Sequence, residues 1–210
     1  MQRSTILFLC FSALLASCSA TSPVQGLKPV KLEDNVYKVA YFSNPSIDYV
    51  YKANVWVYGN ELSGILVFKR INDKTHRVVL TTEFGNTLFD FDVSAEDYKI
   101  NAIVDEFNRR MMIDVLVNDF RLLLRPGFNI AQQFEADQAK ILLSPDGSRS
   151  NLLYLTKTDD KLFQIKQATP KKEKVTLLFD AKNPTFAERI SVEHHDIKLR
   201  IALQYLKNHK

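Results

Sequence analysis

The 210-residue sequence predicts an α+β fold: a curved, mostly antiparallel sheet, an open half-barrel, with one or two helices packed on its concave side. Three observations carry this expectation. The first half alternates β-branched and aromatic residues with polar ones, separated by Gly, Asn and Asp turns. One later stretch switches to a spacing of three and four, the mark of an amphipathic helix. Short strand-like runs between charged turns then resume to the end.

The first residues belong to none of these elements. One charge, Arg3, precedes the apolar run Ile6-Leu7-Phe8-Leu9-Cys10-Phe11, which continues to Leu14-Leu15. That run is shorter than the roughly 20 residues that span a bilayer core, and it reads as an export signal. Leu15-Ala16-Ser17-Cys18 matches a bacterial lipobox: an apolar residue, two small ones that open the backbone to a peptidase, and the cysteine that takes the lipid. An ordinary secretory cleavage near Ala20 is the competing reading. The expected organisation is a signal over 1–17, lipidated Cys18 with a tether over 18–30, and a single domain over 31–210. Acyl chains such as palmitate on Cys18 tie the protein to membrane lipid. Ser19 after the cysteine resembles an outer-membrane sorting signal, so the expected place is the cell envelope, lipid-anchored at the outer membrane and facing the periplasm.

Composition narrows what the domain does. The two cysteines are Cys10 and Cys18, so a mature domain would hold no thiol nucleophile, disulfide or Cys-based metal site. A content of 46% hydrophobic and 11% aromatic residues fits a packed core. Lys and Arg number 28 against 24 Asp and Glu, and the basic residues are scattered, so no nucleic-acid footprint is expected.

The predicted elements follow in order. Residues 36–42 read as a first strand or a helix start, punctuated by Asn44-Pro45-Ser46. Strands are predicted over 49–58, 63–71, 76–84 and 87–93, joined by Gly59-Asn60-Glu61, Asn72-Asp73-Lys74 and Gly85-Asn86 turns. Phe89 and Phe91 alternate with Asp90 and Asp92, which buries one face and wets the other. Over 104–124 the stripe Phe107, Met111, Val115, Leu116, Phe120 and Leu123 predicts the helix, ended by Pro126-Gly127. Residues 128–140 read as a second short helix or an irregular loop. Strands are predicted again over 152–156, 162–167, 175–179, 190–193 and 199–206.

Taken in sequence, the lipobox, the tether, a strand with Gly64-Ile65-Leu66-Val67, the segment running from Leu80-Thr81-Thr82 to Thr87-Leu88, and a closing hairpin over 184–206 resemble the LolB-like members of the LolA/LolB superfamily. The resemblance covers 35–206 as a loose pattern. It implies an open antiparallel sheet closed by helices over an apolar cavity for acyl chains. The implied task is to receive or shield lipoproteins at the outer membrane without catalysis, with lipoprotein cargo or a periplasmic carrier as partner and the protein itself a monomer. The cavity would be lined by Trp56, Leu66, Phe68, Leu80, Phe89, Phe91, Phe107 and Met111, residues that serve equally well as plain core. Leu62 is the nearest match to the exposed apolar loop with which the family's acceptor touches membrane.

Other chemistry is sparse. His194-His195-Asp196 could suggest a metal site, but adjacent strand residues point to opposite faces, and solvated turn residues are the simpler expectation. Glu83, Asp90 and Asp92 could act as acid and base, or form a polar outer face. No Gly-x-Ser-x-Gly elbow, His-Glu-x-x-His or Gly-rich phosphate loop is present. The sequence therefore points away from an enzyme and from any cofactor. The alternative function is a structural or assembly envelope lipoprotein that binds a protein partner through a sheet edge, and a hydrolase using the acidic cluster comes third.

Overall fold

The computed structural model describes residues 24, 26–183 and 185–206. The predicted signal, Cys18 and most of the tether lie outside those residues, as does Pro184. The chain enters through β1 (Lys28–Val30) and β2 (Val36–Lys38), then runs through the meander β3 (Tyr49–Val57), β4 (Asn60–Arg70), β5 (His76–Thr81), β6 (Thr87–Val93) and β7 (Tyr98–Ile103). Helix α1 (Arg110–Leu123) follows, then β8 (Gly127–Asn129) and β9 (Gln132–Glu135). A second meander completes the chain: β10 (Lys140–Asp146), β11 (Arg149–Leu155), β12 (Leu162–Ala168), β13 (Glu173–Asp180), β14 (Arg189–His194) and β15 (Leu199–Tyr205).

Thirteen strands form one antiparallel sheet in the order β1-β9-β10-β11-β12-β13-β14-β15-β3-β4-β5-β6-β7, and β2 pairs with β8 separately. The two meanders are sewn together where β15 pairs with β3, with Tyr51 opposite Tyr205. The edges are β1 and β7, which do not meet, so the sheet is not closed into a barrel. Among the described residues α1 is the one helix, and it covers the inner face. It begins later than predicted because residues 104–109 form a turn after β7, in which Phe107 N and Asn108 N both donate to the Val104 carbonyl at 3.1 Å. Residues 128–140, expected as helix or loop, instead supply β8 and β9, and the sheet starts inside the predicted tether at Lys28. No described helix is long and apolar enough to cross a membrane.

Burial follows the period of each element. Tyr49, Tyr51, Ala53, Val55 and Val57 of β3 point inward while their neighbours are half-buried or exposed. Buried tyrosines keep their hydroxyls paired: Tyr51 Oη donates to the Ala187 carbonyl at 3.1 Å and Tyr41 Oη to that of Leu162 at 2.6 Å. Helix α1 buries Met112, Ile113, Leu116, Val117 and Phe120 against this layer. At the β9–β12 end both faces are covered. Phe134, Ile141 and Leu152 form a second, outer core capped by Val24 and Leu27, which explains the unbroken apolar runs Ile141-Leu142-Leu143 and Leu152-Leu153.

Candidate functional site

The predicted lining residues divide into two sets. Leu66 and Phe68 of β4, Leu80 of β5, Phe89 and Phe91 of β6, and Phe107 ahead of α1 are all buried in the inner layer. Their rings interlock with the helix: Phe120 lies 6.0 Å from Phe68 and 5.7 Å from Phe89, and Phe107 stands edge-on to Phe89 at 5.6 Å. Trp56 and Met111 are elsewhere. Trp56 occupies the outer face of β3, where the Arg200 guanidinium sits 4.9 Å over its ring. Met111 is 55% exposed, because the helix starts at Arg110 and its buried stripe runs through Met112 and Ile113 instead.

Helix α1 is held by packing more than by its own ends. Arg109 at its N-cap supplies no capping hydrogen bond, and its first turn has no acidic residue. Among the described residues, two side-chain hydrogen bonds link it to the sheet. On one side Arg121 Nε donates to the Ser94 carbonyl at 2.8 Å, in the turn after β6. On the other, Asp119 Oδ2 lies 2.8 Å from His194 Nε2 at the end of β14.

The Asp119–His194 pair was not evident in the sequence. His194 was expected as a solvated turn residue, yet its side chain is 9% exposed and its ring is aimed inward at the helix. Asp119 is the more telling member: it falls three residues after Leu116, on the stripe that should be apolar, and that misplaced charge was the available clue. Burial pushes its carboxyl above the usual carboxylate range, against the pull of His194 and Arg149. His195 points the other way, with Nε2 2.9 Å from both Thr176 Oγ1 and Glu173 Oε1. No group of three or more metal-ligating side chains exists among the described residues.

Beside Asp119 and His194 a cleft of about 130 Å³ opens between α1 and the sheet. Arg149, Lys174, Asn118 and Asp196 contribute its polar wall, and Val115, Leu122 and Val175 its apolar one.

The three carboxylates considered for acid–base chemistry do not converge. Glu83 makes a surface ion pair with Lys52 at 3.2 Å. Asp90 is nearly buried, and Arg77 grips both its oxygens at 2.9 and 2.5 Å, holding its carboxyl below the usual range. Asp92 shares that face of β6, with Oδ1 buried and unpaired.

The nearest match to an exposed apolar loop, Leu62, is not exposed but half-buried against the core. Phe84, at the tip of the β5–β6 hairpin, is 94% exposed. Its turn is well braced: Gly85 N donates to the Thr82 carbonyl at 3.0 Å, Thr82 N to that of Asn86 at 2.8 Å, and Gly85 takes φ +85°.

No protein-family model matches the chain, and no curated protein matches it. Solved structures similar to it in shape include the following three. A DUF1329 family protein from Desulfovibrio piger gives a TM-score of 0.48 at 10% identity, covering 76% of this chain and 84% of that one. A LolA superfamily protein from Nitrosomonas europaea gives 0.48 at 10% identity, covering 78% and 86%. A domain assigned to outer-membrane lipoprotein sorting, from Vibrio parahaemolyticus, gives 0.45 at 8% identity, covering 76% and 83%.

Proposed function

We propose that the protein is a lipid-anchored envelope protein that takes acyl chains between α1 and the inner face of its sheet, and so receives or shields lipoproteins at the outer membrane without catalysis. The observation that carries this reading is an aromatic inner face on an open sheet, covered by one weakly capped helix with two polar tethers. Such a helix is a plug that a ligand can replace. Each methylene moved from water to that face contributes about 0.8 kcal/mol, so a long acyl chain offers on the order of 10 kcal/mol against the cost of displacing the helix. Cys18 is the anchor, and Phe84 on its braced turn is the residue that reaches into the lipid interface.

Native mass spectrometry of the mature chain tests this directly. Retained mass matching a phospholipid or an acylated peptide is the expected result. A bare protein after incubation with acylated lipoprotein would overturn the reading.

One observation favours a second reading. The outer edge of β7 pairs with no described strand, and five of its six residues are exposed, Tyr98 and Ile100 among them. An extended segment of a protein partner can add to such an edge. A bare mass together with capture of a partner that is lost on changing Asn101 to Pro would move the function to assembly.

A further inference from the structure

The cleft beside Asp119 and His194 is too small for a chain: about 130 Å³, where ligand cavities run to several hundred. It is the right size for one charged group, and the side chain that defines it is Arg149. Its Nη1 donates to Gln167 Oε1 at 2.7 Å, Gln167 Nε2 donates to Asn151 Oδ1 at 3.0 Å, and Asn151 Nδ2 donates to Asp146 Oδ2 at 3.3 Å. Asp146 is fixed in turn by Arg125 at 3.1 Å. Asn151 is wholly buried and Gln167 nearly so. Buried amides are costly unless bonded, and here they are spent on orienting one guanidinium.

That guanidinium then has no carboxylate within ion-pair distance among the described residues, unlike the cations around it. Lys166 meets Glu173 at 3.2 Å, and Lys172 and Lys174 share Asp196 at 3.5 and 2.5 Å. Asp119 feels Arg149 only through its field, being engaged by His194. An oriented Arg with free donors matches the oxygens of a phosphate in two-point fashion. Beside it Lys172 and Lys174 share the single carboxylate of Asp196, which leaves one further net positive charge at the cleft. The opposite wall is apolar: Leu122 and Val175 belong to the main core, so the cleft is the polar end of the interface between helix and sheet.

We infer that this cleft binds a phosphate group through Arg149, Lys174 and Asn118, and that it selects amphiphiles carrying a phosphate head over uncharged ones. The second half rests on the acyl-binding reading; the first does not.

The experiment has two arms on the mature chain and on R149Q, which changes an exposed side chain at the start of β11, with K174Q as a second variant. In the first arm, phosphatidylglycerol and diacylglycerol with the same chains compete for the protein in native mass spectrometry. Wild type is expected to prefer phosphatidylglycerol by about tenfold or more, the scale of a lost charge-assisted bond. R149Q binds both alike, with diacylglycerol retention unchanged. In the second arm, inorganic phosphate is titrated while the His194 ring is followed by NMR, with saturable shifts expected in wild type and none in R149Q. If both lipids bind equally to both proteins, head-group selection is overturned, and shifts with inorganic phosphate then assign the cleft to free phosphate. If neither lipid binds, the acyl-binding reading fails and the phosphate titration still decides the cleft. A flat titration with equal lipid retention overturns the inference whole.

Discussion

Asp119 on α1 and His194 on β14 meet at 2.8 Å with almost no solvent contact, so the helix over the inner face is pinned by a buried polar pair. Burial raises the Asp119 pKa above its ordinary 3.8. The folded state therefore holds this proton more tightly than the unfolded chain. The stability it contributes is full below that ordinary value and is lost as pH climbs through the raised one. Asn at this position mimics the protonated acid at every pH. Wild type should lose stability relative to D119N as pH rises above about 4, measured by urea unfolding of both proteins across pH. A constant gap would refute it.

Gly64 tolerates no side chain. A Cβ there would lie 2.0 Å from the Thr81 carbonyl oxygen, where β4 and β5 begin to pair. The oxygen belongs to the backbone and a Cβ is fixed in direction by its own backbone, so neither can turn aside. G64A should cost about 1–3 kcal/mol, as forced overpacking does, and show as a lower melting temperature.

Phe84 should behave in the opposite way. At 94% exposed it makes almost no stabilising contact, so F84S should leave stability within about 0.5 kcal/mol of wild type. Co-sedimentation of the chain with phospholipid vesicles should fall in the same variant. Loss of stability without loss of vesicle binding would reverse the role given to this residue.

Phe120 separates a plug from an ordinary core helix. It is buried between Phe68 and Phe89, and F120A should cost about 3–5 kcal/mol. If α1 is displaced by ligand, the same change weakens the plug and raises the retained fraction of acyl ligand. A core helix would give lower stability and no gain in ligand.

The strands of the first meander were legible because apolar and polar residues alternate between the two faces, as along Tyr49–Val57. In Phe89-Asp90-Phe91-Asp92 the same alternation held, but Asp90 on the polar face is buried under Arg77 rather than wet. Strand β7 was not legible, since nearly all of Tyr98–Ile103 is exposed and a free edge leaves no alternation to read. Strand β10 was hidden for the reverse reason: the outer core covers its second face, which turns alternation into a continuous apolar run. The aromatic layer was readable up to the helix register, which moved Met111 outward. The polar cleft was the least visible, because its members come from α1, β11, β12, β13 and β14 and only the sheet order makes them neighbours.

The sheet also dictates when the protein can finish folding. Strand β3 lies between β4 and β15, and Tyr51 waits for Tyr205, far along the sequence. An emerging chain can build the β3–β7 meander early, but one edge of β3 stays open until the last strand is released. Closing so distant a pair is slow compared with making hairpins or helices. The inner core thus completes only when β15 reaches β3, and until then the aromatic face of the early meander lacks half of its cover.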